Sequence, residues 1–292
     1  MNRLVLSKLL ALAVGIGCVF FAFKYNKSAL YETSGSIYGT YWKLVSTEYI
    51  PDPLIQSIKQ ELNRIDFVAS NYKPSSELSI INASPINTEI GISSDMYTIL
   101  KFAEDLHQLS NGYYDVTIGS LIIKEGFGPE SSMTHNAIPV SKKRFNFLNN
   151  NSITKNDNFQ FDLSSIAKGY AVDSISNLLI RANRNNYLID IGGEIIVNGS
   201  KHGEPWTIGI QSPLAVNNQA GTQIRSNKFL AIATSGEYRN FKLNKSGVLT
   251  SHTFIPEIQK SLIDKSYSVT VVSEKSSMSA DAWATALNAL GP

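Results

Sequence analysis

Tyr187-Leu-Ile-Asp190-Ile191-Gly192-Gly193-Glu194-Ile-Ile-Val197 is the stretch on which the fold turns. Residues 187–191 and 194–197 are rich in β-branched and aromatic side chains, which suit a pleated, half-buried surface. Two glycines part them. A glycine pair permits a tight β-turn, or close approach of another group, because neither residue carries a Cβ. The pattern GxGxxG is absent, so the glycines are no dinucleotide fingerprint. Similar strand-like runs, bounded by Gly, Pro, Asn or Ser, occupy residues 206–210, 229–233 and 267–272.

Helical periodicity flanks these runs on both sides. Upstream, a helix is predicted after Asp162-Leu163-Ser164, with Ile166, Ala167, Tyr170, Ala171, Ile175, Leu178 and Leu179 on its apolar side. Downstream, residues 279–290 read as a helix ended by Gly291. Nearer the N-terminus, Leu54, Ile55, Ile58, Leu62 and Ile65 fall at helical spacing, with Asp52 as cap and Pro53 at the first position. Another helix runs from Asp95 to about Leu109 and stops at Asn111-Gly112. Helices early, strands late and one closing helix predict an α+β fold rather than alternating βαβ units. The expectation is a single domain over residues 28–292, with a mixed or antiparallel sheet and packed helices; residues 28–36 read as a polar linker.

Residues 1–27 carry an address. Arg3 and Lys8 precede an unbroken apolar run over residues 9–23, which fits a signal-peptide core and is short for a full membrane span. An uncleaved membrane anchor is the first reading. A lipoprotein modified on Cys18 is the second, although Gly15-Ile16-Gly17 is an imperfect lipobox. A buried core helix is the third. The first two place the bulk of the chain outside the cytoplasm.

The 292 residues suffice for a large core, and a net charge of +2 offers no basic face for nucleic acid. Cys18 is the only cysteine, which excludes an internal disulfide and a zinc site built on several thiolates.

Four constellations could carry chemistry. In Asp281-Ala-Trp-Ala-Thr285 a carboxylate and a hydroxyl four apart share a helix face, expected on its exposed first turn, and offer hard oxygens to Mg²⁺; an acid favoured by the helix dipole is the plain alternative. In Asp162-Leu-Ser-Ser165-Ile-Ala-Lys168-Gly169-Tyr170 a turn feeds a helix N-terminus, whose N–H groups and lysine suit a phosphate; a capped helix with a surface lysine is the alternative. Gly169 weakens a helix, so something approaches it closely. The third is the Asp190–Glu194 turn. The fourth is Ala233-Thr-Ser-Gly-Glu237-Tyr238 with His252 downstream as a candidate base; a lone histidine also serves plain structural roles. No GxSxG elbow accompanies them, so serine hydrolysis fits poorly.

In order along the chain these segments resemble the ApbE family of FAD:protein FMN transferases. Tyr38-Gly39-Thr40-Tyr41-Trp42 resembles its opening strand, with Tyr38 in place of methionine. Asn71-Tyr72-Lys-Pro-Ser75-Ser76-Glu77-Leu78-Ser79 with Asn82, Gly112-Tyr113-Tyr114-Asp115-Val-Thr117-Ile-Gly119 and Gly126-Phe127-Gly128 resemble three further motifs, followed by the four constellations above. The resemblance implies transfer of FMN from FAD to a threonine or serine hydroxyl of a target protein, with release of AMP. It implies Mg²⁺ held by Asp281, Thr285 and an oxygen of Ser165, by similarity its backbone carbonyl. FAD would meet Tyr38, Tyr72, Tyr113, Tyr114, Asp115, Asp162 and Lys168, and His252 would assist deprotonation. The implied acceptor is a subunit of a membrane electron-transport complex, and the implied place is the periplasmic face of the bacterial inner membrane.

One segment departs from the family pattern. Where HxxDPxTGxP is usual, this chain has His252-Thr-Phe-Ile255-Pro256-Glu-Ile258-Gln259. The departure motivates a second reading, a membrane-tethered FAD-binding protein with little activity. A third is a Mg²⁺-dependent FAD pyrophosphatase with water as acceptor.

Overall fold

The computed structural model describes residues 3–129, 143–212, 220–236, 241–243, 249–251, 253–256, 258, 260–262 and 267–292. Helix α1 (Arg3–Ser28) leads into strands β1 (Tyr31–Ile37) and β2 (Thr40–Ser46). Helices α2 (Asp52–Ala69) and α3 (Glu77–Ala83), strand β3 (Glu89–Gly91), helices α4 (Ser94–Leu109) and α5 (Gly119–Lys124), and strands β4 (Phe145–Asn149) and β5 (Ser152–Lys155) come next. Helix α6 (Ala167–Arg181) is followed by β6 (Tyr187–Ile191), β7 (Glu194–Asn198), β8 (Trp206–Gln211), β9 (Ala220–Ser226) and β10 (Leu230–Gly236). Short strands β11 (Phe241–Leu243), β12 (Leu249–Ser251), β13 (Phe254–Ile255) and β14 (Lys260–Ser261) precede β15 (Ser268–Ser273) and the closing helix α7 (Ser277–Leu290).

The central sheet runs β1-β2-β6-β7-β10-β15, and each neighbouring pair is antiparallel. The α+β expectation therefore holds, with the sheet antiparallel rather than mixed. Gly192 and Gly193, at φ 62° and 108°, make the two-residue turn of the β6–β7 hairpin, a backbone that residues with a Cβ adopt at a cost. Both readings of this glycine pair apply at Gly192, because a Cβ there would sit 2.8 Å from Thr40 Cγ2, on the strand next door.

Two expectations need correction. Residues 31–36 of the supposed linker are β1, the outer strand of the sheet. Its polarity reflects an edge position with several side chains in solvent, where polar residues also discourage pairing with another chain. Asp52 is not the cap of α2: Pro51 is, and Asp52 and Pro53 fill the first turn. An acid is welcome at either place, so composition does not separate the two registers.

One face of the sheet meets α2, α6 and α7. Trp42, Leu44, Ile189, Ile191, Ala231 and Ala233 pack there against Ile58, Leu62, Ile65, Val172, Ile175 and Leu179. A second core joins α4 and the β3-β5-β4 sheet, with Met96, Ile99, Ile153, Phe159, Phe161 and Leu163. Helix α7 lies between the two. Its Ala280 and Ala284 belong to the first core, and Ala282 and Ala286 to the second. Small side chains on both flanks let it run through the middle of the molecule, which fixes whatever else it carries.

Helix α1 leaves Leu9, Leu10, Leu12, Val14, Ile16, Val19 and Phe20 exposed, so it is not a buried core helix. No helix among the described residues is long and apolar enough to cross a membrane.

Candidate active site

A cavity of about 760 Å³ opens between the hairpin turns of the sheet, the start of α6 and the middle of α7. That is ample for a dinucleotide-sized ligand. Tyr38, Tyr72, Tyr113, Tyr114 and Asp115 line it, as do Asp162, Ser165, Lys168, Asp281 and Thr285. These ten residues span most of the sequence, and the fold brings them to one wall system. His252, Glu237 and Tyr238 lie outside the described residues, although Thr253, Phe254 and Pro256 line the same cavity.

Tyr38 occupies the β1–β2 turn with φ 52°, an uncommon conformation for a residue with a side chain. Its hydroxyl donates to Leu62 O at 2.8 Å, which ties the turn to α2. Burial and the nearby Asp66 and Glu61 raise its pKa, against the pull of Arg64, so it remains a neutral donor. Tyr72 stands at the mouth, 68% exposed. Tyr114 is buried, and its hydroxyl shares a hydrogen bond of 3.1 Å with Ser165 Oγ. Burial pushes that phenol up as well. Asp115 Oδ1 accepts from Thr117 N and Thr117 Oγ1, at 2.8 and 2.6 Å. Arg144, buried on the far side, donates to Thr117 O at 3.0 Å and holds this loop in place.

Asp162 organises the turn into α6. Its Oδ2 accepts from Asn71 Nδ2 at 2.8 Å, and its Oδ1 accepts from Ser164 N at 2.8 Å and from Ser164 Oγ. Asn82 pins the preceding residue through Phe161 O and Phe161 N, at 2.9 and 2.7 Å. The free N–H groups expected at the start of α6 are largely taken. Ile166 N and Ala167 N donate to Leu163 O, and Gly169 N donates to Asp281 Oδ2 at 3.0 Å.

The body that approaches Gly169 is α7, not a ligand. A Cβ on Gly169 would lie 2.5 Å from Ser277 O, 2.7 Å from Met278 Cα and 2.8 Å from Asp281 Cβ. This contact also corrects the placement of Asp281. It is 5% exposed and sits on the second turn of α7, not on an exposed first turn. Asp173 of α6 locks the two helices together by accepting from Ser277 N, Met278 N and Ser276 Oγ at 2.7–2.9 Å.

Lys168 sits between two buried acids, with Nζ 3.2 Å from Glu194 Oε1 and 3.9 Å from Asp281 Oδ2. Burial pushes both carboxyl groups up, and the ammonium pulls them back. For Lys168 burial disfavours the charge, but the two carboxylates outweigh it and hold the ammonium charged. Glu194 was missed as a site residue. Its only sequence signal is an acid at the first position after a glycine turn, on an otherwise apolar strand.

The residues fit a magnesium ion accompanied by phosphate. Two buried carboxyl groups face one ammonium, and burial raises both, Glu194 to about 8, so an added cation would favour their charged forms. Glu194 Oε2 is buried without a hydrogen-bond partner among the described residues. Asp281, Thr285 and Ser165 supply only hard oxygens, which suit Mg²⁺. No group of three or more His, Cys, Asp or Glu placed to hold a metal occurs among the described residues. An ion here would therefore complete its shell with substrate oxygens and water.

A family model described as the ApbE family matches residues 38–292. The FAD:protein FMN transferase of Vibrio cholerae is 32% identical over 277 residues, covering 88% of this chain and 80% of its own. The protein of the same name from Haemophilus influenzae is 32% identical over 251 residues, covering 81% and 72%. The solved structure of the flavin transferase ApbE from Vibrio cholerae superposes with a TM-score of 0.77 at 30% identity, over 90% of this chain and 88% of that one.

Proposed function

Because the chain belongs to the ApbE family, we propose that it transfers FMN from FAD to a threonine or serine hydroxyl of an acceptor protein and releases AMP. The observation that carries this reading is the meeting of Ser165, Lys168, Asp281 and Thr285 on one dinucleotide-sized cavity. The hydroxyl oxygen attacks the phosphorus on the flavin side of the pyrophosphate. The bond from that phosphorus to the bridging oxygen breaks, and AMP departs with the electron pair. Mg²⁺, held by Asp281, Thr285 and a Ser165 oxygen, would neutralise charge on the phosphoryl groups.

The remaining work falls to the protein. Lys168 supplies a fixed positive charge at the phosphates. Ile195, Ile208, Ile232 and Phe254 give the cavity apolar surface suited to an aromatic ring system. Tyr38, Tyr72, Tyr113 and Tyr114 present aromatic surface to the cavity, while Asp115 and Asp162 hold the loops that shape the wall. His252 takes the proton of the attacking hydroxyl.

The apolar, exposed helix α1 supports a membrane-bound setting, which we place at the periplasmic face of the inner membrane or, through Cys18, on a lipid anchor. A subunit of a membrane electron-transport complex is the acceptor such a setting brings within reach. The altered segment after His252 favours one other reading, an FAD-binding protein of low transfer activity. Calorimetry tests the metal-bridged site shared by both: FAD affinity is expected to be higher with Mg²⁺ than with chelator. Equal affinities count against it.

A further inference from the structure

Glu194 is a buried acid to which nothing in the proposed reaction assigns a task. It opens β7 directly after the Gly192-Gly193 turn and is 5% exposed. Its Oε1 lies 3.2 Å from Lys168 Nζ, whereas Asp281 Oδ2 lies 3.9 Å from the same ammonium. That Asp281 oxygen already accepts the Gly169 N–H at 3.0 Å. The other Glu194 oxygen has no hydrogen-bond partner among the described residues, though it is buried beside the cavity.

A lysine between two acids pairs more closely with the better placed one. If Asp281 alone faced Lys168, the ammonium would close on it and cap the carboxylate that a cation needs. We propose that Glu194 is a positioning residue: it draws Lys168 to itself, keeps Asp281 available for a divalent cation, and fixes the ammonium as a phosphate-facing charge. The unpartnered Oε2 fits the same task, since it can accept from a water or hydroxyl that arrives with the ligands. The inference rests on the metal-bridged reading of this site.

The test measures FAD binding by flavin fluorescence on the full chain in mild detergent, across a Mg²⁺ titration, with thermal unfolding followed in parallel. Glu194→Gln is expected to raise the Mg²⁺ concentration for half-maximal binding about tenfold, with folding retained. In a Lys168→Met background, adding Glu194→Gln is expected to shift that concentration by less than about twofold, because Glu194 acts through the lysine. A Glu194→Gln protein with the wild-type Mg²⁺ requirement overturns the inference. So does an undiminished tenfold shift in the Lys168→Met background, which would mean that Glu194 acts on the cation directly. Should Glu194→Gln fail to fold, Glu194→Asp withdraws the carboxylate from Lys168 while keeping its charge. It is expected to shift the requirement in the same direction, and a wild-type requirement again overturns the inference. A wild-type chain that binds FAD equally well without Mg²⁺ removes the metal-bridged reading itself, and this inference falls with it.

Discussion

Asp281 combines a hard-oxygen donor with a buried position, and the two properties pull in opposite directions. Burial penalises its charge, yet Gly169 N and Lys168 hold the carboxylate in place. Asp281→Asn keeps the side-chain shape and removes the charge. It is expected to lower FAD affinity in Mg²⁺ about tenfold or more and to make binding indifferent to chelator. Thr285→Ala is expected to do less, since a neutral hydroxyl is the weaker ligand. His252→Ala is expected to bind FAD nearly as well as wild type but to transfer FMN about 10²-fold more slowly. An Asp281→Asn chain with wild-type Mg²⁺ dependence would remove that residue from the metal site. That Asp281 and Thr285 share one helix and one cavity wall was legible in the sequence, because their spacing is local and follows the helical repeat. The burial of Asp281 was not. It depends on Gly169, more than a hundred positions earlier, and no local pattern reports such a contact. Glu194 stayed hidden for the same reason, since its partner Lys168 comes from another element.

At the scale of elements, the close crossing of α6 and α7 places Lys168 beside Asp281. Gly169 permits that crossing and Asp173 holds it, through three donors from the N-cap and first turn of α7. Gly169→Ala would gain helix propensity of about 1 kcal/mol. Against this, the new methyl group meets backbone and Asp281 Cβ within 2.5–2.8 Å. Overpacking of this kind costs about 1–3 kcal/mol and displaces the helices. The expected outcome is a lower urea midpoint together with weaker Mg²⁺-dependent FAD binding. A variant as stable and as tight-binding as wild type would show that the crossing tolerates expansion. The starts of long periodic elements such as α2, α4, α6 and α7 were readable within one or two residues. The short helices α3 and α5, the β3-β5-β4 sheet and β1 were not. Helices of 7 and 6 residues offer two turns or fewer to establish a period, and β1 alternates too weakly to stand out from a polar linker.

At the scale of the whole molecule, two cores meet along α7, and the cavity opens where the hairpin turns approach that helix. Sequence alone carried the α+β class, because helices come early, strands cluster late and one helix closes the chain. The order of the sheet was beyond it, since β2 pairs with β6 across more than 140 positions. The apolar N-terminal helix lies outside both cores. The full chain is expected to sediment with membranes, and a chain lacking residues 1–27 is expected to stay in the supernatant. Cys18→Ser separates the anchors: retained association means a helix anchor, and loss means a lipid. A full-length chain found in the soluble fraction would rule out both.

Flavin transfer is tested most directly by incubating the full chain with FAD, Mg²⁺ and membranes from cells lacking it, then following flavin fluorescence in denaturing gels and AMP in solution. Covalently held flavin on a membrane protein, appearing in step with AMP and absent with Asp281→Asn, is the expected result. AMP without covalent flavin would make the chain a pyrophosphatase, and neither product would make it a binding protein; either result contradicts transfer.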